Sequence, residues 1–438
     1  MTVTRIRPTQ ILVVLALTNL ISYAARNALF AVYPDLTARY GIDDSEIGLL
    51  QTVFMIPHAA ATLGFGWAGD RFDRRRVIVV GILIASVAGA VGALGSSYLG
   101  LAASRAFVGF GTAAVVPVAN SILAEVFDGP MKASRIAIFN LGLFLGGVAG
   151  FATGMALGFP LVVVVIALPG LVFAALIWHM PIPTRALAKR DDDPATSGFQ
   201  HQTIMLRHFI RDARVLLRIR TLRWLIVSTT VMAFAAGGYN AWLKEFLVRD
   251  KLMTDAEATT LLTLSLCGGL TGILVGGRVS DLLGKRFSTG RLWTIVVGMI
   301  LTAPCAAIAI MLPKGAGLDL AGIATLFFIS WYHAPVAATV DDLAPRGLSV
   351  AAQGLVIFMM HMIGTAPSSW VVGQVSEMAS LHDAMWVPTG ALIVAAVAMA
   401  IATLSFAADR AAAGGTRAQP RGDLEPPSSG GSVPGASL

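Results

Sequence analysis

The chain has 438 residues, of which 56% are hydrophobic and only 13% charged, with a net charge of +7. A soluble protein of this length needs far more polar residues to cover its surface, so the bilayer is the solvent that suits this composition. The positive charge does not point to nucleic acid, because Lys and Arg fall in short loops between apolar runs, which is the positive-inside signal.

Apolar runs of spanning length occur near 10–33, 45–66, 77–96, 98–124, 134–157 and 159–180, and again near 222–247, 257–278, 291–312, 319–341, 349–375 and 384–407. The expectation is an all-α membrane protein of twelve helices, six plus six. Open strands cannot cross lipid, and the runs are too long and too apolar for barrel strands. The first run lacks a small-residue cleavage site and reads as a span, not a removable signal peptide. Cys267 and Cys305 lie within apolar segments, so no disulfide framework is implied.

With the N-terminus inside, 25 of the 32 Lys and Arg residues lie on the inner side, and only Arg39, Arg249, Lys251 and Lys314 lie outside. This bias predicts an inner (plasma) membrane protein with both termini cytoplasmic. The expected organisation is a six-helix bundle over 1–180, a cytoplasmic linker over 181–221, a second bundle over 222–408 and a disordered tail over 409–438. Within the linker, Arg207, Arg211, Arg214 and Arg218 recur at helical spacing opposite Leu206, Phe209, Ile210, Ala213 and Leu217. That pattern predicts an amphipathic helix, either lying on the anionic inner leaflet or simply solvated.

Two loops repeat one pattern. Residues 66–76 read Gly-Trp-Ala-Gly-Asp-Arg-Phe-Asp-Arg-Arg-Arg, and residues 277–286 read Gly-Arg-Val-Ser-Asp-Leu-Leu-Gly-Lys-Arg. Gly66 and Gly277, Asp70 and Asp281, Arg74 and Lys285, and Arg75 and Arg286 are each 211 residues apart, which predicts an internal duplication. Gly66 is expected to bring helix 2 close to a neighbour. Helix 4 carries Arg105-Ala-Phe-Val-Gly109-Phe-Gly111, whose glycines predict tight helix packing. Helix 11 carries Gly364-Thr-Ala-Pro367 and Gly373, a packing and bending pattern.

The 66–76 loop and its weaker copy resemble the loops between helices 2 and 3 and between helices 8 and 9 of the major facilitator superfamily. Asp73 stands where that superfamily usually has Gly. The helix-4 pattern resembles one associated with its proton-coupled members. The resemblance implies that Gly66, Asp70, Arg71, Arg74, Arg75, Asp281 and Arg286 gate the protein rather than bind cargo. Within the superfamily, Asn19-Leu-Ile-Ser-Tyr23-Ala-Ala-Arg26, the start of helix 5 at Arg135 to Asn140, the end of helix 7 at Ala241 to Arg249, and Asp342-Leu-Ala-Pro-Arg346 are similar to the spinster group. Two carboxylates that the group would supply as proton carriers are replaced by Ala25 and Thr112, and Lys244-Glu245 stands where the group tends to have Pro-Ser.

Arg26 and Arg105 lie within spans, about 10 Å below the outer face by helical rise. An arginine at the centre of a span costs roughly 2.5–3.5 kcal/mol on insertion scales, so such a residue usually meets water or a partner. Two readings follow. Both guanidinium groups receive an anionic head group, or Arg26 bonds helix-end carbonyls while Arg105 snorkels outward. Tyr23, Asn27, Asn140, Tyr239, Asn240, Tyr332 and Gln353 are further candidates for a cavity wall, with Gln51 and Trp331. His58, His333 and His361 fall near the midplane. With Glu245 they are candidates for proton coupling, although each His also fits a hydrogen-bonded packing role. No spacing suits a metal. No hydrolase or transferase constellation stands out, so neither enzymatic activity nor a cofactor is expected.

The resulting expectation is a monomeric secondary transporter for a small, amphipathic, lysolipid-like anion, with membrane lipids and protons as further partners. The alternatives are a proton-coupled antiporter for drugs or hydrophilic metabolites, and a non-transporting sensor or assembly factor.

Overall fold

The computed structural model describes residues 8–127, 132–180, 182, 209–345 and 348–418. The side chains of Asp70, Arg71 and Arg135, residues 183–208 of the linker, Arg346 and residues 419–438 of the tail lie outside the described residues. Among the described residues every regular element is a helix.

The spans are α1 (Pro8–Ala31), α2 (Asp44–Arg71), α3 (Arg74–Leu94), α4 (Tyr98–Leu123), α5 (Lys132–Leu157) and α6 (Leu161–His179). They continue as α7 (Arg220–Arg249), α8 (Asp255–Arg286), α9 (Gly290–Met311), α10 (Ala316–Leu343), α11 (Ala351–Met378) and α12 (Trp386–Ala418). Eleven of them are long and apolar enough to cross a membrane on their own. The exception is α7, which carries Lys244 and Glu245 and qualifies only together with the preceding helix Phe209–Leu216, from which it turns by 106°. That short helix therefore runs across the ends of the spans, with Phe209 packed edge-on to Phe358 of α11 at 5.8 Å.

The helix starts repeat the duplication. Asp43 caps α2 in a reciprocal capping box with Glu46, and Thr254 caps α8 in the same box with Glu257. These pairs are also 211 residues apart. The third span of each half is tied to the fourth by an arginine: Arg74 to Glu125, and Arg291 to Asp342 at 2.7 Å, each pair 51 residues apart.

In the first half, α1 packs on α5, α3 on α4 and α6, and α2 on α4; in the second, α7 packs on α12, α8 on α10, and α9 on α10 and α12. Between the halves the main contact is α2 against α11. Glycine makes these approaches possible. A Cβ on Gly109 would lie 2.1 Å from the Phe54 carbonyl oxygen of α2, and one on Gly111 would lie 2.4 Å from that of Gly81 in α3. Gly66 differs from expectation. Nothing lies within 4 Å of its Cβ position, and the tight contact is instead at Gly69, against Val118 at 3.2 Å.

Two further departures concern helix continuity. α11 contains a π-helical turn, Met360–Thr365, just before Pro367, which places the expected bend at His361. α12 continues past residue 408 to Ala418, where the sequence predicts a disordered tail. Asp409 is anchored there, because its carboxylate accepts from the Thr221 N–H at 2.8 Å and hydroxyl at 2.7 Å. It thereby satisfies orphan donors at the start of α7.

Candidate functional site

α1, α2, α4 and α11 bring together a polar group in the otherwise apolar interior. Arg105 on α4 is 4% exposed. Its Nη1 donates to the Ala25 carbonyl at 3.0 Å, and its Nη2 donates to the Arg26 carbonyl at 3.3 Å and to Gln51 Oε1 at 3.4 Å. The guanidinium also lies 4.5 Å from the Phe54 ring centroid. The α-helical part of α1 ends at Asn27, before a 3-10 turn over Ala28–Ala31, so the charge is met by the negative end of that helix and an aromatic face. This corrects the sequence reading: Arg105, rather than Arg26, bonds the helix-end carbonyls, and it does not snorkel outward.

Arg26 is left without a hydrogen bond or ion pair among the described residues. Its guanidinium carbon lies 6.0 Å from the Tyr23 ring. The next residue, Asn27, bonds Asn240 of the second half at 3.0 Å, which places this turn of α1 where the two halves meet. His58 stacks on Phe54, and its Nδ1 lies 3.1 Å from the Gly109 carbonyl and 3.2 Å from the Thr112 hydroxyl. The rings of His58 and His361 meet edge-to-face at 6.4 Å. His361 Nδ1 is buried without a partner in the π-helical turn.

The other candidates separate. Asn27 and Asn240 pair with each other across the halves at 3.0 Å. Tyr239 is turned into the second half, where its hydroxyl meets Thr389 of α12 at 2.6 Å, so it is a packing residue here. Gln353 sits near the basic-loop end, donating to the Ala337 carbonyl at 2.8 Å and to Asp341 at 3.3 Å. Tyr332 and His333 stack on each other at 4.0 Å on α10, and Asn140 is exposed on α5.

The basic-loop end carries no ion pair between the halves among the described residues. Arg74, 7% exposed, is held by Glu125 and by the Gly69 carbonyl at 3.3 Å. Arg75 pairs with Asp73 at 3.2 Å. Asp73 caps α3 through the Arg75 N–H, a role for the residue that departs from the superfamily pattern. Asp281 and Arg286 are exposed.

The opposite end is closed by contacts that sequence reasoning missed. Asp44, 7% exposed, accepts from Arg249 Nη1 of α7 at 2.8 and 3.0 Å and from the Ser376 hydroxyl of α11 at 2.7 Å. Its N–H donates to Glu377 at 2.8 Å. Gln374 bonds Ser45, the Thr52 hydroxyl donates to the Ala366 carbonyl at 2.6 Å, and a Cβ on Gly48 would lie 2.3 Å from the Ser369 carbonyl oxygen. Lys244 of α7 donates to the Ala31 carbonyl at 3.1 Å and pairs with Asp255 at 2.9 Å. In the sequence, Asp44 reads only as a first-turn acid beside the cap, and no local signal gives its partners on α7 and α11.

Comparison with known proteins gives the family and the fold. The zebrafish (Danio rerio) spinster homolog 3 is 27% identical over 403 residues, covering 84% of this chain and 77% of the relative. The sphingosine-1-phosphate transporter SPNS2 of the same species is 25% identical, over 83% of this chain and 75% of its own length. A bacterial homolog of the human lysosomal transporter spinster, solved in an inward-facing and unoccupied conformation, aligns with a TM-score of 0.78 at 18% identity, covering 93% of this chain and 99% of that one. The Major Facilitator Superfamily model matches residues 15–369, and the chain accordingly belongs to that superfamily of membrane transporters, with spinster proteins among its relatives.

Proposed function

We propose that this protein is a secondary transporter that moves a small amphipathic anion, of the single-chain phospholipid kind, by alternating access between two six-helix bundles. The observation that carries the proposal is Arg26. It is a guanidinium within a span, at the meeting of the halves, that no acceptor among the described residues satisfies. A phosphate or carboxylate suits its planar fork, and the apolar faces around it suit a tail. A relative named as a sphingosine-1-phosphate transporter supports a cargo of that chemistry.

Arg105 in this reading is a positioning residue that fixes the end of α1 and so aims Arg26. The contacts at Asp44 form a closed outer gate. Among the described residues no ion pair joins the halves at Arg74, Arg75, Asp281 or Arg286, which supports reading the conformation as inward-open, with both termini cytoplasmic in the inner membrane. The relatives are transporters, which supports a non-enzymatic role.

Flux of a fluorescent lysophosphatidate into proteoliposomes tests the proposal. Arg26→Ala is expected to abolish it, and a cationic dye is expected not to compete. Unchanged uptake in Arg26→Ala would reject the anion site, and preferential uptake of the dye would favour the drug-antiporter reading.

A further inference from the structure

α1 and α4 hold no carboxylate within their spans. The closed outer gate contains a carboxyl group suited to carrying a proton. Glu245 on α7 is 4% exposed, and its Oε1 is sealed from solvent without a hydrogen bond. Its nearest cation, Lys244, is 3.9 Å away and is already bound more closely by Asp255 at 2.9 Å and the Ala31 carbonyl at 3.1 Å.

Two residues in contact with Trp242, one turn before Glu245 on α7, also carry buried hydroxyls without partners, Tyr33 and Ser369. The Tyr33 ring lies 5.5 Å from the Trp242 ring, and the Trp242 indole N–H donates to the Ser369 carbonyl at 2.8 Å. Each hydroxyl has an O–H to donate, and the carboxyl has lone pairs to receive. The charged groups that act on Glu245 are Lys244 and Arg249 on its own helix, Asp44 on α2 and Asp255 on α8. Glu377 on α11 acts on the same Arg249.

We propose that Glu245 is the group through which this transporter is coupled to the proton gradient, exchanging its proton with outside water when α2 and α11 part. The proposal rests on the transporter reading above. In each cycle one O–H bond forms on the carboxyl, with outside water as the proton donor; in the closed gate the carboxyl is shielded, and that O–H bond breaks in a later step of the cycle in which it meets inside water. No bond in the cargo changes. Closure of the gate buries Glu245 together with Tyr33 and Ser369, so proton access is tied to the same movement that exposes Arg26. This is the behaviour coupling requires: access to the proton site must change with access to the cargo site.

Two measurements test this, one of them independent of cargo. Infrared difference spectra of the purified protein across a pH titration should show a protonated-carboxyl band that disappears in Glu245→Gln. In proteoliposomes, the steady-state accumulation ratio of lysophosphatidate, inside over outside, should approach about tenfold under a one-unit pH gradient when one proton moves with the cargo and no net charge crosses, since one unit corresponds to a tenfold ratio. It should fall to about one in Glu245→Gln and recover in Glu245→Asp. An unchanged carboxyl band, or a gradient ratio that survives Glu245→Gln, would overturn the assignment. Wild-type protein that shows the titrating band but no lysophosphatidate flux would instead reject the cargo reading while keeping the proton site.

Discussion

Asp44→Asn is the substitution that most directly tests the outer gate. It keeps the size of the side chain and removes its charge. The carboxylate holds two bonds from Arg249 and one from Ser376. Bonds to a charged group contribute about 1.5–3 kcal/mol each when well buried. The Asp44 side chain is 9% exposed but Arg249 is 48% exposed, so solvent screens the ion pair and the full sum does not apply. The Ser376 bond survives in weakened form, because the amide oxygen still accepts. A net loss of about 1–3 kcal/mol from the closed state follows, which changes a two-state equilibrium about 5–150-fold. The gate opening can be read by pulsed electron spin resonance between labels at Ala38→Cys and Met378→Cys, both exposed at the outer end, after Cys267 and Cys305 are replaced by Ser. Asp44→Asn should populate a longer label distance, and Arg249→Ala should do the same. Identical distance distributions in wild type and both variants would refute the assignment of this cluster as the lock.

Arg105→Lys should lower lysophosphatidate flux by weakening the hold on the end of α1, because an ammonium cannot reproduce the fork that meets the Ala25 and Arg26 carbonyls together. Flux equal to wild type would show that this clamp does not position Arg26. Gly109→Ala should destabilise the protein by about 1–3 kcal/mol, since its Cβ would lie 2.1 Å from the Phe54 carbonyl oxygen, whereas Gly66→Ala should leave the melting temperature in detergent within a few degrees of wild type. Equal melting temperatures for the two variants would contradict the packing described. Asp409→Ala should also lower the melting temperature, by leaving the Thr221 N–H at the start of α7 unsatisfied at a cost of about 0.5–2 kcal/mol. A melting temperature matching wild type would show that the anchor contributes nothing.

Much of the fold was legible in the chain because the bilayer imposes a simple rule. Every span must be helical and apolar, so eleven of twelve spans announce themselves by length and hydropathy. The twelfth, α7, was read as a span over 222–247 and meets the same standard only together with the short helix Phe209–Leu216. The duplication was legible in the repeated basic loops, and the same offset of 211 residues reappears in the caps at Asp43 and Thr254. The glycines of α4 gave their packing role by spacing alone, while Gly66 misled, since a glycine in a motif does not reveal which neighbour approaches it.

The site was legible only as a set of residue types. The chain placed Arg26, Arg105, His58 and His361 within spans, because charge and imidazole stand out against an apolar background. It could not say which arginine is satisfied. That depends on α1 ending beside α4, where the Ala25 and Arg26 carbonyls meet Arg105 and leave Arg26 unmatched. The cluster at Asp44, proposed as the outer gate, was wholly a matter of tertiary structure. Asp44, Arg249 and Ser376 are far apart in the chain and look like ordinary polar residues at helix ends. Only the packing of α2 against α11 and the end of α7 joins them, because hydropathy fixes what a helix faces in lipid but not which helix it faces in the protein.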